Sequence, residues 1–492
     1  MMTSSRFSRP AAVLLLWVLV IGCAESQGPA PVTNYPDFPF AAVETSVDRY
    51  REESLTTRRF KPADLAPLYA ALGGGFGVDT AGTSVEGRAI HRVQWGSGPT
   101  EVLLWSQMHG DEPTATAALF DLFHWLAGRD DGLDSLRATL RESLHLTFIP
   151  MLNPDGANRY ERRNALGIDL NRDALHLTSP EARVLKGERD RLQADWGFNL
   201  HDQGIYYSAG FPGEKGCVIS ILAPAFDWEK SMSQKRTDAA QLIALLNDRW
   251  QEAVPGQIGR YNDDFEPRAF GDNLQKWGTR TVLIESGGYP GDPEKQEIRR
   301  LNVLGLINGL HAIATGRFEQ YSVADYLEIP ENESNGMHAL ILENARVERP
   351  EGSFVLDIGF RIAERTLPPD NRRYTSSAYI SDLGDLSTFG AFERVDLDSF
   401  RVVPGRVYPT ALGANAIRDL DPTALYRDGY TAVKATTILP DPPPTEVLRV
   451  LTPSGSISRD IDVGNPADLL IYDGADRLVM AVINGRLRRL GQ

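Results

Sequence analysis

His109 and Glu112 stand three residues apart in the tetrapeptide His-Gly-Asp-Glu, shortly after the apolar run Val102-Leu-Leu-Trp105. An imidazole and a carboxylate at that spacing, on the turn leaving a buried strand, make half of a zinc site that lacks only a distant third ligand. His201 is a candidate for it, since it closes the short run Trp196-Gly-Phe-Asn-Leu200, 89 residues beyond Glu112. Two neighbouring ligands and a remote third, with the fourth position left to water, form the pattern of a catalytic rather than a structural zinc. A His-x-x-Glu pair arises readily by chance in 492 residues, so its weight comes from its surroundings.

Between the half-sites lie Asn153-Pro-Asp-Gly156 and Arg162-Arg-Asn-Ala-Leu-Gly-Ile-Asp169-Leu-Asn171-Arg172; beyond His201 comes Thr281-Val-Leu-Ile-Glu285-Ser. In this order the chain resembles the zinc metallocarboxypeptidases of the carboxypeptidase A type, whose motifs run HxxE, NPDG, RxNxxGxDLNR, a lone His and a strand-borne Glu. The resemblance spans residues 46–318. It implies one zinc ion held by His109, Glu112 and His201, which brings the pKa of a bound water to about 7. It implies Glu285 as general base, its proton affinity raised by partial desolvation at a strand end. Arg162 would stabilise the oxyanion, with Arg163 an adjacent alternative. Asn171 and Arg172 would clamp a free chain terminus, because a guanidinium meets a carboxylate in two parallel hydrogen bonds. Asp169 would orient His109. Tyr261 would be the mobile tyrosine ahead of the glutamate, and the base of the specificity pocket falls near Phe270. Asp263 and Asp264 either favour a basic substrate side chain or form a solvated acidic turn. After His201 the chain departs from the pattern, with Asp202-Gln-Gly-Ile-Tyr206-Tyr207 where relatives carry small polar residues.

Such residues need a frame that gathers them at strand ends. Strand-like runs at 101–105, 145–150, 197–200 and 280–284 alternate with helical patterns near 113–128, 180–194, 238–253 and 293–316. The alternation predicts an α/β fold, a mixed, largely parallel sheet flanked by helices, with ligands at the carboxyl ends of its strands. Pro113 suits the first helical position just after Glu112. Past residue 317 the helical period fades. Alternating segments at 353–362, 372–380 and 448–451, with a proline cluster at 440–444, predict a β-rich accessory region over 319–492. Its closing residues, ADLLIYD and VINGR, resemble the last hairpins of amidohydrolase-type proteins and equally suit any buried strand followed by a type I′ Asn-Gly turn.

The first residues carry a different signal. Arg6 and Arg9 flank an apolar run at 11–21 that ends in Val20-Ile-Gly-Cys23, the form of a signal peptide with a lipobox. The run is too short to span a bilayer stably. The partition expected is a lipoprotein signal peptide at 1–22, a lipidated Cys23 with a linker to 45, the catalytic domain at 46–318 and the accessory region. In a diderm bacterium, Ala24 after the cysteine resembles an outer-membrane address; the alternative is an ordinary cleaved signal with Cys23 incidental. With Cys23 lipidated, Cys217 has no partner for an internal disulfide. The other six histidines lack paired ligand spacing, and a net charge of −15 argues against a nucleic-acid partner, which needs a basic footprint.

The expectation is a lipid-anchored zinc carboxypeptidase acting on peptides with a free C-terminus. Two alternatives stand beside it: an amide hydrolase of the same fold acting on cell-wall or non-peptide amides, and a non-catalytic surface binding protein. The complete set of His109, Glu112, His201, Arg162 and Glu285 argues against the last, since a scaffold freed from catalysis has no physical reason to keep a buried base.

Overall fold

A computed structural model describes residues 37–437, 447–458 and 460–490. The signal segment, Cys23 and the proline cluster at 440–444 lie outside the described residues.

The run at 102–105 is wholly buried, and its side chains serve two cores at once. Val102 and Leu104 face one apolar cluster, Leu103 and Trp105 another. That alternation is what a strand covered on both faces requires. In chain order the first strands are β1 (Phe76–Thr83), β2 (Ala89–Gly96), β3 (Thr100–Ser106), β4 (Leu144–Ile149) and β5 (Trp196–Asp202). They are followed by β6 (Ser208–Ala209), β7 (Ile219–Leu222), β8 (Ile258–Arg260) and β9 (Arg280–Ser286). All but β6 form one sheet in the order β1-β2-β4-β3-β5-β9-β7-β8. Its centre, β4-β3-β5-β9, is parallel, whereas β2 and β7 run against their inner neighbours. The sheet is therefore mixed and largely parallel, as expected.

The helices are α1 (Phe40–Val47), α2 (Pro62–Ala71), α3 (Thr114–Ala127), α4 (Asp134–Ser143), α5 (Pro154–Arg159), α6 (Pro180–Leu192), α7 (Gln234–Ala253), α8 (Phe270–Lys276) and α9 (Gln296–Thr315). The apolar stripes of α3, α7 and α9 fill the larger cluster, and α6 and α8 the smaller one. Ser233 and Ser179 cap α7 and α6 by accepting the amides of Arg236 and Ala182. One expectation needs correction. The linker expected to reach residue 45 overreaches, because Phe38 and Val43 are buried and α1 packs on α9. Phe40, Val43 and Val47 recur at helical spacing, a short apolar stripe that the preceding prolines obscured.

Beyond a short helix at Val323–Leu327 the chain turns β-rich. Strands β10 (Asn332–Glu333), β11 (Met337–Arg349), β12 (Gly352–Leu367) and β13 (Arg373–Gly384) come first. β13, β12 and β11 begin a second eight-stranded sheet that ends in a hairpin of Leu478–Ile483 with Arg486–Arg489. That hairpin turns at Asn484 and Gly485, both with positive φ (48° and 74°), as a type I′ turn demands. Leu340, Ile358, Phe360, Ile380, Ile471 and Val482 form its core. Among the described residues no helix is long and apolar enough to cross a membrane.

Candidate metal centre and cleft

β3 ends in a turn whose first residue, Gln107, has φ of 48°. The Asn-Pro-Asp-Gly motif braces this turn. Asn153 donates its amide to the carbonyl of Gln107 (3.0 Å) and its side chain to that of Met108 (3.3 Å). It also caps α5 by accepting the amide of Gly156 at 2.9 Å, with Pro154 at the first helical position. The two turns touch so closely that a Cβ on Gly110 would lie 2.0 Å from the carbonyl carbon of Gly156. The motif therefore works as the clamp that holds His109 and Glu112 in place.

β5 and β9 lie side by side with His201 opposite Glu285. Neighbouring parallel strands thus present the third candidate ligand and the candidate base at the same level of the sheet. His109, Glu112 and His201 are buried, and their ligand atoms all lie within 4.8 Å of one another. Nδ1 of His109 stands 2.7 Å from Oε1 of Glu112, and Nδ1 of His201 stands 2.7 Å from Oε2. Nε2 of His109 faces Oδ1 of Asp169 at 3.1 Å. If that nitrogen carries the proton, Nδ1 presents a lone pair to a carboxylate oxygen, an arrangement that needs a cation between the two. The donor set therefore fits a divalent ion of zinc type, with Asp169 fixing the ring from behind.

The electrostatics agree. Burial opposes charge on Glu112, but the two imidazoles beside it hold its carboxyl well below the usual range. Burial likewise opposes charge on His109, yet the Glu112 and Asp169 carboxylates push it up to about 9. Glu112 is thus already ionised, and the proton a metal would displace on binding is the one on His109. Arg162 joins the cluster, its Nη1 3.1 Å from both Glu112 Oε1 and His109 Nδ1 and its other nitrogens 3.1 and 3.2 Å from Asp169 Oδ2. Arg163 points away and donates to the carbonyl of Gly167 at 2.9 Å, so of the two arginines only Arg162 reaches the site.

Glu285, Arg162, Asn171, Arg172 and Tyr261 line the same cleft of about 330 Å³ as the three ligands. Burial, reinforced by the Glu112 carboxylate, raises the proton affinity of Glu285 far above that of a free glutamate. Asn171 accepts the amide of Phe270 at 2.8 Å, which ties the loop to the start of α8. The Arg172 guanidinium is half-exposed, with Nη1 donating to the carbonyl of Asn171 (2.7 Å) and Nε 3.3 Å from Glu266. Tyr261 lies with its ring centroid 6.2 Å from that of Tyr207.

The acidic residues behave differently from a free negative patch. Asp263 is paired with Arg236 and Lys230, at 2.7 and 2.8 Å, and Asp264 with Lys230 at 2.8 Å. Phe270 packs into the apolar cluster against Trp277, and Asp272, two residues on, lines the cleft instead. Also unforeseen in the sequence is Lys295, a buried ammonium that donates to Asp202 Oδ2 (3.1 Å) and to the carbonyl of Ser286 (2.9 Å), bridging the ends of β5 and β9. No motif marks it. Cys217 is buried and unpaired, its thiol pushed up to about 11 by burial.

Comparison with known proteins gives the same direction. Residues 76–189 match the family model described as zinc carboxypeptidase. An uncharacterized protein of Zymomonas mobilis is 27% identical over 231 residues, which is 40% of this chain and 58% of that one. Carboxypeptidase SOL1 of Arabidopsis thaliana is 35% identical over 88 residues, 16% of this chain and 18% of its own length. The chain thus spans less than two thirds of each of these relatives. Among solved structures, a metallo-carboxypeptidase from Burkholderia cenocepacia covers 52% of this chain and 69% of its own at 18% identity, with a TM-score of 0.42. The likeness to zinc carboxypeptidases read from the motifs is upheld over the matched segment. His201 and Glu285 lie beyond that segment; side-chain geometry brings His201 to His109 and Glu112, and strand register sets Glu285 opposite His201 on the same cleft.

Proposed function

We propose that this chain is a zinc-dependent carboxypeptidase that releases the C-terminal residue of peptides. The observation that carries the proposal is the meeting, in one cleft, of a His-Glu-His donor set with a carboxylate of raised proton affinity and the Asn171-Arg172 pair. His109, Glu112 and His201 would hold the zinc ion, which when bound would supply Lewis acidity to the cleft. Arg172 receives the terminal carboxylate of the substrate and, with Asn171, sets the last peptide bond at the centre of the cleft. Glu285 takes the proton from the attacking water and hands it to the nitrogen of the departing residue. Arg162, half-exposed and fixed by Glu112 and Asp169, offers a positive charge to the oxygen on which negative charge develops.

The test compares C-terminally free with C-terminally amidated peptides, with zinc present and Glu285→Gln as control. Loss of single residues from free peptides alone, reduced about 10²- to 10⁴-fold in the variant, supports the proposal. Absence of cleavage by the zinc-loaded protein would overturn it and direct attention to cell-wall amides. For location, we propose export and acylation at Cys23, with anchoring in the outer membrane; Cys23→Ser should move the protein from the membrane to the soluble fraction.

A further inference from the structure

The chain that leaves β5 after His201 runs through residues 203–218 before it rejoins the sheet at β7. One side of this loop forms a wall of the cleft, through Gln203, Gly204 and Tyr207. Its other side is bound to the β-rich region. β6 pairs with β10, placing Ser208 opposite Glu333 and Ala209 opposite Asn332. The Tyr206 carbonyl accepts the amide of Met337 at 3.1 Å. The Tyr206 hydroxyl accepts the amide of Ile362 on β12 at 2.6 Å and lies 3.4 Å from the carbonyl of the same residue. The phenol ring is flanked by the Arg361 guanidinium at 5.5 Å and the Phe392 ring at 6.3 Å. From β10, the Asn332 side-chain amide donates to Ser220 (2.7 Å) and to Gln203 Oε1 (3.1 Å), and Ser220 donates to the same oxygen at 2.8 Å.

Two cleft groups therefore depend on contacts made behind them. Gln203 is buried, and its side chain is held through Asn332 and Ser220. Tyr207 follows Tyr206 directly, so the anchoring of one ring behind the wall constrains where the next enters the cleft, beside Tyr261. We infer that Tyr206 and Asn332 are positioning residues that fix the cleft wall at 203–207 to the β-rich region, making that region part of the substrate site. The kinetic half of this inference rests on the function proposed above.

Tyr206→Phe in the full chain keeps the ring and removes only the hydroxyl. Backbone hydrogen exchange over 203–209 should then quicken about tenfold, the loss of one well-made hydrogen bond, while α3 and α9 stay as protected as before. With peptide substrate, KM should rise about tenfold with kcat changed less than about threefold, and bound zinc should be unchanged. Asn332→Ala should act in the same direction. Unchanged exchange at 203–209 overturns the inference, and so does faster exchange spread evenly over the whole molecule, which would mark Tyr206 as an ordinary packing residue. If the unaltered protein cleaves no peptide, the proposed function fails while the exchange measurement still decides this one.

Discussion

Arg172 already has company, for Glu266 sits 3.3 Å from its Nε and is itself gripped by both ends of the Arg268 fork at 2.9 Å. On the proposed function a terminal carboxylate would share Arg172 with Glu266, and its binding would rely on the planar fork meeting two oxygens at once, which an ammonium cannot reproduce. Arg172→Lys should raise KM for C-terminally free peptides about tenfold or more while leaving kcat within about threefold, as a steady-state titration will show. A neighbouring carboxyl gives a pH-dependent prediction. Among the described cleft acids, Asp263, Asp264 and Glu266 are held in ion pairs, whereas Asp272 accepts the backbone amide of Glu266 at 3.0 Å. Burial pushes the Asp272 carboxyl up to about 7, so it is neutral below that pH and anionic above it. The ratio of kcat/KM for C-terminal lysine over leucine should therefore climb between pH 6 and 8, and Asp272→Asn should flatten the climb. A ratio that rises equally in the variant would place the titrating group elsewhere.

The elements carry the site through their ends, and Lys295 shows how much hangs on one of them. Its ammonium and the Asp202 carboxylate are both about 7% exposed, and Asp202 is also bound by Thr114 at 2.6 Å. Removing one member of such a pair leaves the other charge buried without compensation, at a cost of about 3–5 kcal/mol. Lys295→Met should lose about that much stability in a denaturant titration, whereas Lys295→Met with Asp202→Asn should recover part of it. Little of this was legible beforehand. The ends of β3, β5 and β9 could be read because each apolar run stops at or near a residue with chemistry to offer. Lys295 could not, since a lysine between a loop and a helix looks the same in sequence whether it points to water or to Asp202. Phe270 and Asp272 show a finer limit. In α8 each residue turns about 100°, so an uncertainty of two positions carries a side chain from the cleft to the apolar cluster. The run after His201 read only as a departure from the expected pattern, because its partners lie more than a hundred residues away on β10 and β12.

For the whole molecule the question is whether the two sheets behave as one body. The described residues from 37 onward form a single compact unit, and the joints between the α/β part and the β-rich part are polar and specific. Tyr374 on β13 donates to Glu294 at 2.7 Å, next to Lys295, and Arg372 forks onto Asp64 of α2 at 2.6 and 3.0 Å. Opening the β-rich sheet would therefore release the turn that holds Lys295 as well as the cleft wall at 203–207, and opening the α/β sheet would release its supports in turn. A chain built this way should unfold in one calorimetric transition. Metal tests the same coupling from the opposite end, because an ion bound only by the folded protein stabilises it in proportion to the logarithm of its excess over the dissociation constant. At a thousandfold excess that is about 4 kcal/mol, which over some 450 residues moves the midpoint by about 4 °C. Chelation should lower the single transition by about that much, and zinc should restore it. Two separate transitions, of which only one responds to the chelator, would mean that the β-rich region folds apart from the cleft. An unmoved midpoint would mean that His109, Glu112 and His201 hold no ion.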